Sequence, residues 1–275
     1  MLLKTEILLE GLKFPEGPRW HNGKLWFSDM EMFKVMTVDL SGNAETILDM
    51  RKSPSGLGWL PNGRLLVVSM QDRRLLRLDP DGLTEVADLS KIASFHCNDM
   101  VVDKQGRAYI GHFGFDFLDQ NTRAFKHADI ILVTPDGNAR VVADHMAFPN
   151  GTVITPDDQT LIVGESFGQR LTAFDILEDG ALNNRRLWAK LRSPPDGICL
   201  DAEGAIWVAS PGTGYVLRVL EGGEITHRVK VSTQAYACML GGPDRCTLFV
   251  ATSSNDRLKG KIEIIKVDVP GAGLP

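Results

Sequence analysis

Tyrosine and cysteine are scarce in this chain, with 3 and 4 copies in 275 residues. Cys97, Cys199, Cys238 and Cys246 lie far apart and form no Cys-x-x-Cys pair, so no disulfide framework or cysteine zinc site is indicated. No run reaches the roughly 18 consecutive apolar residues of a membrane helix. The opening MLLKTEILLEG carries Lys4, Glu6 and Glu10 where a signal peptide has an apolar core. A basic excess is missing as well: 30 Lys and Arg against 35 Asp and Glu leave a net charge of −5, which argues against a nucleic-acid platform. The expectation is a reduced, cytoplasmic protein with no nucleic-acid or membrane partner.

What the chain has is glycine, 27 copies beside 14 prolines, and an internal repeat. Six segments share one outline: EGPRWHNGKLWFSD from Glu16, SGLGWLPNGRLLVVS from Ser55, NDMVVDKQGRAYIGH from Asn98, NGTVITPDDQTLIVGE from Asn150, DGICLDAEGAIWVAS from Asp196 and the looser YACMLGGPDRCTLFVAT from Tyr236. Each has a polar lead residue, a short apolar run, a turn such as Asn22-Gly23 or Asn62-Gly63, and a second apolar run. Turn dipeptides between such runs signal hairpins. Further strands follow in LLRLD after Arg74, ADIILV after His127, RLTAFDI after Gln169 and YVLRV after Gly214. A period near 40–50 residues with four short strands is that of a propeller blade. A parallel β-helix would repeat at a shorter period, and an open sandwich would lack the recurring polar lead. The predicted fold is all-β, a six-bladed β-propeller forming one domain over residues 1–275, with little helix. The N-terminal TEILLEG and the C-terminal GKIEIIKVDV are expected to pair and close the ring.

Innermost propeller strands converge on a central axis, so Glu16, Ser55, Asn98, Asn150, Asp196 and Tyr236 are expected to form a ring. Three share a frame: Pro15-Glu16-Gly17, Pro149-Asn150-Gly151 and Pro195-Asp196-Gly197. Alone, each reads as a turn before a strand, its polar side chain capping backbone groups. In register, they converge as carboxylate and amide oxygens suited to calcium, magnesium or manganese, and carboxylates also hold zinc. The glycines are expected to supply backbone geometry that other residues resist. A second polar column, Asp29, Ser69, His112, Glu165, Ser210 and Thr252, closes the second strands. It is either solvent-exposed strand ends or a shell that orients the ring and lines a pocket.

At these residues the chain resembles the family of senescence marker protein, gluconolactonase and luciferin-regenerating enzyme. The likeness runs over essentially the full length, through FPEGPRW and LWFSD within 14–29, HCNDMVVDKQGRAYIG at 96–111, FPNGTVITPDDQTLIVGES at 148–166 and PPDGICLDAEGAIWVAS at 194–210. The resemblance implies a central divalent cation, calcium or zinc foremost, held by Glu16, Asn150 and Asp196. It also implies that Asn98 faces the metal or the substrate, that Asp196 is a candidate general base, and that the activity is lactone hydrolysis. Some relatives act on phosphotriesters. His96 stands where sugar-lactone-hydrolysing members usually carry arginine. The segment GHFGFDFLDQ at 111–120 is rich in phenylalanine, which reads either as packing between blades or as a wall for a less polar substrate.

The chemistry predicted from these residues is metal-assisted opening of a cyclic ester, with the carbonyl polarised and an activated water attacking it. Ligation to a cation would depress the Asp196 pKa and favour water activation by the metal. Substrate contacts are expected from Asn98, His96, Ser55, His112 and Tyr236, with His96 or His112 a possible auxiliary acid–base group. No dinucleotide or Walker motif is present, and Ser253–Asp256 reads as a surface turn. The alternatives are a propeller binding module whose channel metal is structural and a phosphotriesterase-like hydrolase.

Overall fold

The computed structural model describes residues 2–117, 119 and 124–273. Its strands form six sheets, five with four strands and one with five. From the axis outwards, the first blade is Pro15–His21, Lys24–Asp29, Lys34–Val38 and Ala44–Asp49. The innermost strands of the others are Pro54–Trp59, Cys97–Val102, Pro149–Ile154, Ile198–Leu200 and Gln234–Gly241. Each touches the innermost strands of both neighbours, so the ring is closed. The later strands read from the sequence appear as Arg74–Asp79, Ala128–Val133, Arg170–Ile176 and Tyr215–Val219. Asn22 and Gly23 both take positive φ, 49° and 77°, as a type I′ hairpin turn requires.

Burial falls from axis to rim. Every residue of Leu65–Ser69 is buried, because a second strand is covered on both faces by neighbouring blades. The outermost Ala44–Asp49 is largely exposed. The core is accordingly divided into clusters between adjacent blades, such as Val35, Leu57, Leu65 and Val67 between the first and second. Trp20 stacks on Phe249 across the first and sixth, ring centroids 5.3 Å apart.

The ring closes as the sequence predicts: Glu6–Leu12 pairs antiparallel with Gly260–Lys266. One pairing was not read from the sequence. Leu2–Lys4 adds to the fifth blade, parallel to Ile225–Lys230, with Leu3 opposite Val229. Buried Glu263 ties this closure together. Its carboxylate accepts hydrogen bonds from the Ser232 hydroxyl at 2.6 Å, the Thr252 hydroxyl at 2.8 Å and the Thr5 hydroxyl.

Among the glycines after the three framed lead residues, the expected backbone geometry holds at one position. Only Gly17 takes a positive φ, 55°. Gly151 and Gly197 are required by proximity: an added Cβ would lie 2.4 Å from the Ile198 nitrogen at the first and 2.4 Å from the Ala237 Cβ at the second. The same approach lets Gly151 N–H donate to Asp196 O at 3.2 Å and Gly197 N–H to Tyr236 O at 2.8 Å. Gly151→Ala and Gly197→Ala are each expected to destabilise the fold by about 1–3 kcal/mol, the usual cost of overpacking. Urea or guanidinium titration measures this, and midpoints at the parental value would show that the blades can separate freely.

Candidate active site

A register shift recurs where the innermost strands enter the ring. It falls between Glu16 and Arg19, Pro54 and Leu57, Cys97 and Met100, Pro149 and Thr152, and Ala235 and Ala237. A bulge interrupts the in–out alternation of a strand and re-aims a side chain. Glu16, Asn98, Asn150 and Tyr236 all line one axial cavity of about 420 Å³. In the fifth blade Asp196 precedes its strand. Its N–H donates to Ala209 O at 2.9 Å, and Ala209 N–H donates to Gly197 O at 3.0 Å, which holds Asp196 at the same level with its side chain in the cavity.

The structure therefore brings together Glu16, Asn98, Asn150, Asp196, Tyr236 and His96. Two predicted substrate contacts are placed elsewhere. Ser55 is buried, and its carbonyl accepts the Ser28 hydroxyl at 2.6 Å. His112 is also buried, its ring nitrogens facing the backbone amides of Gly114 and Asp129 at 3.1 and 3.0 Å. Neither lines the cavity. The rest of the second column is also buried rather than solvent-exposed, and it braces loops. Asp29 accepts the Lys13 and Phe14 amides at 2.8 and 3.1 Å, and Glu165 accepts the Ala147 amide at 2.7 Å.

The cavity floor is electrostatically crowded. Burial is the main cause that raises Glu16 well above the carboxylate range, and the charges of Asp196 and Asp99 add to it. Burial likewise pushes Asp196 up to about 7, against the pull of Arg257 and a side-chain hydrogen bond from Asn150. Asp99 lies beside them, also raised by burial, although Arg19 pairs with it at 2.8 Å. The Asn150 amide reaches the Ser166 hydroxyl at 3.2 Å, which donates to Pro195 O at 2.7 Å. Asn98 donates to Pro149 O at 3.2 Å, so its amide oxygen is the group left for a ligand. Burial lowers the His96 pKa and raises that of Tyr236.

Sequence reasoning missed Arg257, Ser166 and the Arg19–Asp99 pair. Ser253–Asp256 is only half a surface turn, since Ser253 is buried. Arg257 N–H donates to Ser254 O at 2.9 Å to close the turn. The guanidinium then returns over the Phe14 ring, 4.6 Å from its centroid, into the cavity wall. Nothing in a turn of small polar residues signals that the next side chain points to the axis.

Two carboxylates and an amide oxygen form a hard-oxygen donor set. Among the described residues no three His, Cys, Asp or Glu side chains group as metal ligands, so a cation here would draw on the Asn150 amide. The crowding of like charges fits such a cation, which would relieve it. Without one, the buried acids work against folding. A carboxylate with its folded pKa raised stays protonated in the folded chain while the unfolded chain releases its proton. Stability then falls as pH rises from the ordinary carboxylate value toward the raised one, about 7 for Asp196. Asp196→Asn is therefore expected to raise the melting temperature of chelator-treated protein at pH 8 more than at pH 4. An equal or opposite shift at pH 8 would contradict the crowding.

Comparison with known proteins agrees with this architecture. The chain is 25% identical over 256 residues to regucalcin of Xenopus laevis, covering 90% of this chain and 85% of that protein. It is 25% identical over 243 residues to gluconolactonase of Zymomonas mobilis, covering 77% and 68%. Among solved structures, a gluconolactonase of Xanthomonas campestris superposes with a TM-score of 0.78 at 26% identity, covering 94% of this chain and 89% of that one. A calcium-binding regucalcin of Agrobacterium tumefaciens shares the fold, with a TM-score of 0.80 at 21% identity over 100% and 99% of the two chains. Residues 14–254 match the SMP-30/gluconolactonase/LRE-like region, and the chain belongs to that family.

Proposed function

We propose that the protein is a divalent-metal-dependent lactonase, with the cation held by Glu16, Asn150 and Asp196. The observation that carries this reading is the convergence of the Glu16 and Asp196 carboxylates, with the Asn150 amide, on the floor of one axial cavity. The gluconolactonase relatives favour a cyclic ester as substrate, and the hard-oxygen donors together with the calcium-binding structural relative favour calcium over zinc. When bound, the cation supplies Lewis acidity to the ester carbonyl and to a water.

The chain's own groups then have distinct tasks. Asn150 donates to the Asp196 carboxylate, and Ser166 fixes the Asn150 amide in turn. With its basicity lowered by a bound cation, Asp196 would relay the proton of the attacking water instead of keeping it, passing it to the ring oxygen as the acyl C–O bond breaks and a hydroxy acid is left. The amide of Asn98 orients the substrate from the next blade. Arg257 offsets part of the negative charge on the floor, and the buried Arg19–Asp99 pair lies beneath the site.

Glu16→Gln and Asp196→Asn are each expected to lower kcat/KM for lactone hydrolysis by roughly 10²–10⁴-fold with the folded circular-dichroism spectrum kept. Chelation of purified protein should abolish turnover, and added calcium should restore it. Metal-loaded protein that opens no lactone, or variants with parental activity, would overturn the reading.

A further inference from the structure

The two halves of the cavity wall differ. Toward the first and second blades it carries Glu31, Ser53 and Gln71, with Met30 and Met70. Toward the third and fourth blades it is mainly aromatic, with Asp116 and Ser166 beside the rings. Phe113 stacks on Phe148 with centroids 4.6 Å apart and planes at 15°. Phe117 and Phe167 meet the Phe148 ring edge-on at 5.4 and 5.1 Å. His96 lies flat against Phe95, 4.1 Å away, and continues the surface instead of reaching across the cavity.

Two details separate this wall from ordinary packing between blades. Phe167 is 53% exposed at the cavity mouth, an apolar surface that a core residue would not leave to water. Phe148 is held at φ 64°, a conformation costly for a bulky side chain that persists where its surroundings impose it, often at ligand sites. Phe148 also sits two residues before Asn150, so the strained backbone that presents the ring leads directly into the cavity floor.

We propose that the substrate is a lactone bearing an apolar substituent, which lies against the Phe113–Phe148–Phe167 wall while its carbonyl meets Glu16, Asn150 and Asp196. The inference rests on the lactonase reading and narrows it. A polyol substituent would lose its water on this wall and find no hydrogen-bonding side chains among the three rings. An alkyl chain would gain contact with every methylene it adds.

The test uses the metal-loaded full chain on lactones of one ring size: δ-hexalactone, δ-octalactone, δ-decalactone and D-glucono-δ-lactone. The expected result is a kcat/KM that rises about two- to fourfold per added methylene, with glucono-δ-lactone at least about tenfold below δ-decalactone. Phe167→Ser, at an exposed position, should flatten that rise at an unchanged melting temperature. A flat series, a preference for glucono-δ-lactone, or a Phe167→Ser variant with the parental slope would each overturn the apolar-substituent inference and leave the lactonase standing. Inertness toward all four lactones would overturn both.

Discussion

Six innermost strands must crowd around one axis, and at Gly151 and Gly197 they come so close that not even a methyl group fits between neighbours. The site follows from that approach. Close neighbours allow Gly151 and Gly197 to hydrogen-bond across blades to the carbonyls of Asp196 and Tyr236. Those bonds link the backbones of Asn150, Asp196 and Tyr236, residues from three different blades. The bulges at the strand entries then turn side chains inward from a position that regular pleating would not favour. Precision at the floor thus comes from backbone contact, with the loops adding the walls.

The same crowding sets acids against one another. Glu16, Asp196 and Asp99 share a buried region, and only Asp99 has an arginine paired with it at hydrogen-bonding distance. Natural proteins tolerate such local conflict where function needs it and compensate elsewhere. Here the compensation is visible in the apolar clusters between blades and in the second polar column, whose carboxylates are matched to backbone amides. Acidic side chains of similar burial therefore have opposite effects: Glu165 lies below its ordinary pKa because Arg170, Thr172 and Ala147 satisfy it, whereas Glu16 lies far above.

Much of this was legible in the sequence, for a specific reason. Repetition superposes six copies of one pattern, so Glu16, Asn98, Asn150, Asp196 and Tyr236 declare a shared position that none would reveal alone. The strands were readable because inner propeller strands are covered on both faces and appear as unbroken apolar runs such as LLVVS. The second column was ambiguous because a polar residue after an apolar run looks the same whether it faces an axis, water or a neighbour's amide. Ser55 and His112 belong to the repeat pattern, yet the Ser55 carbonyl takes the Ser28 hydroxyl and the His112 ring meets backbone amides. Arg257 was invisible because its place depends on how one turn folds back over Phe14, and the tripartite contacts of Glu263 depend on a pairing between distant strands.

That distant pairing sets the order in which the molecule can be finished. The sixth blade takes its outermost strand from residues 6–12 and its other three from 234–266, so a strand made near the start of synthesis has no blade of its own until the last one exists. During synthesis Glu6–Leu12 waits as an unpartnered β-segment, and Gly260–Lys266 emerges as a sheet edge with a free row of amides and carbonyls. Such edges pair with whatever strand reaches them first, including one from a neighbouring chain. Residues 6–12 are thus a clasp as much as a strand: their pairing covers the edge that Gly260–Lys266 would otherwise present.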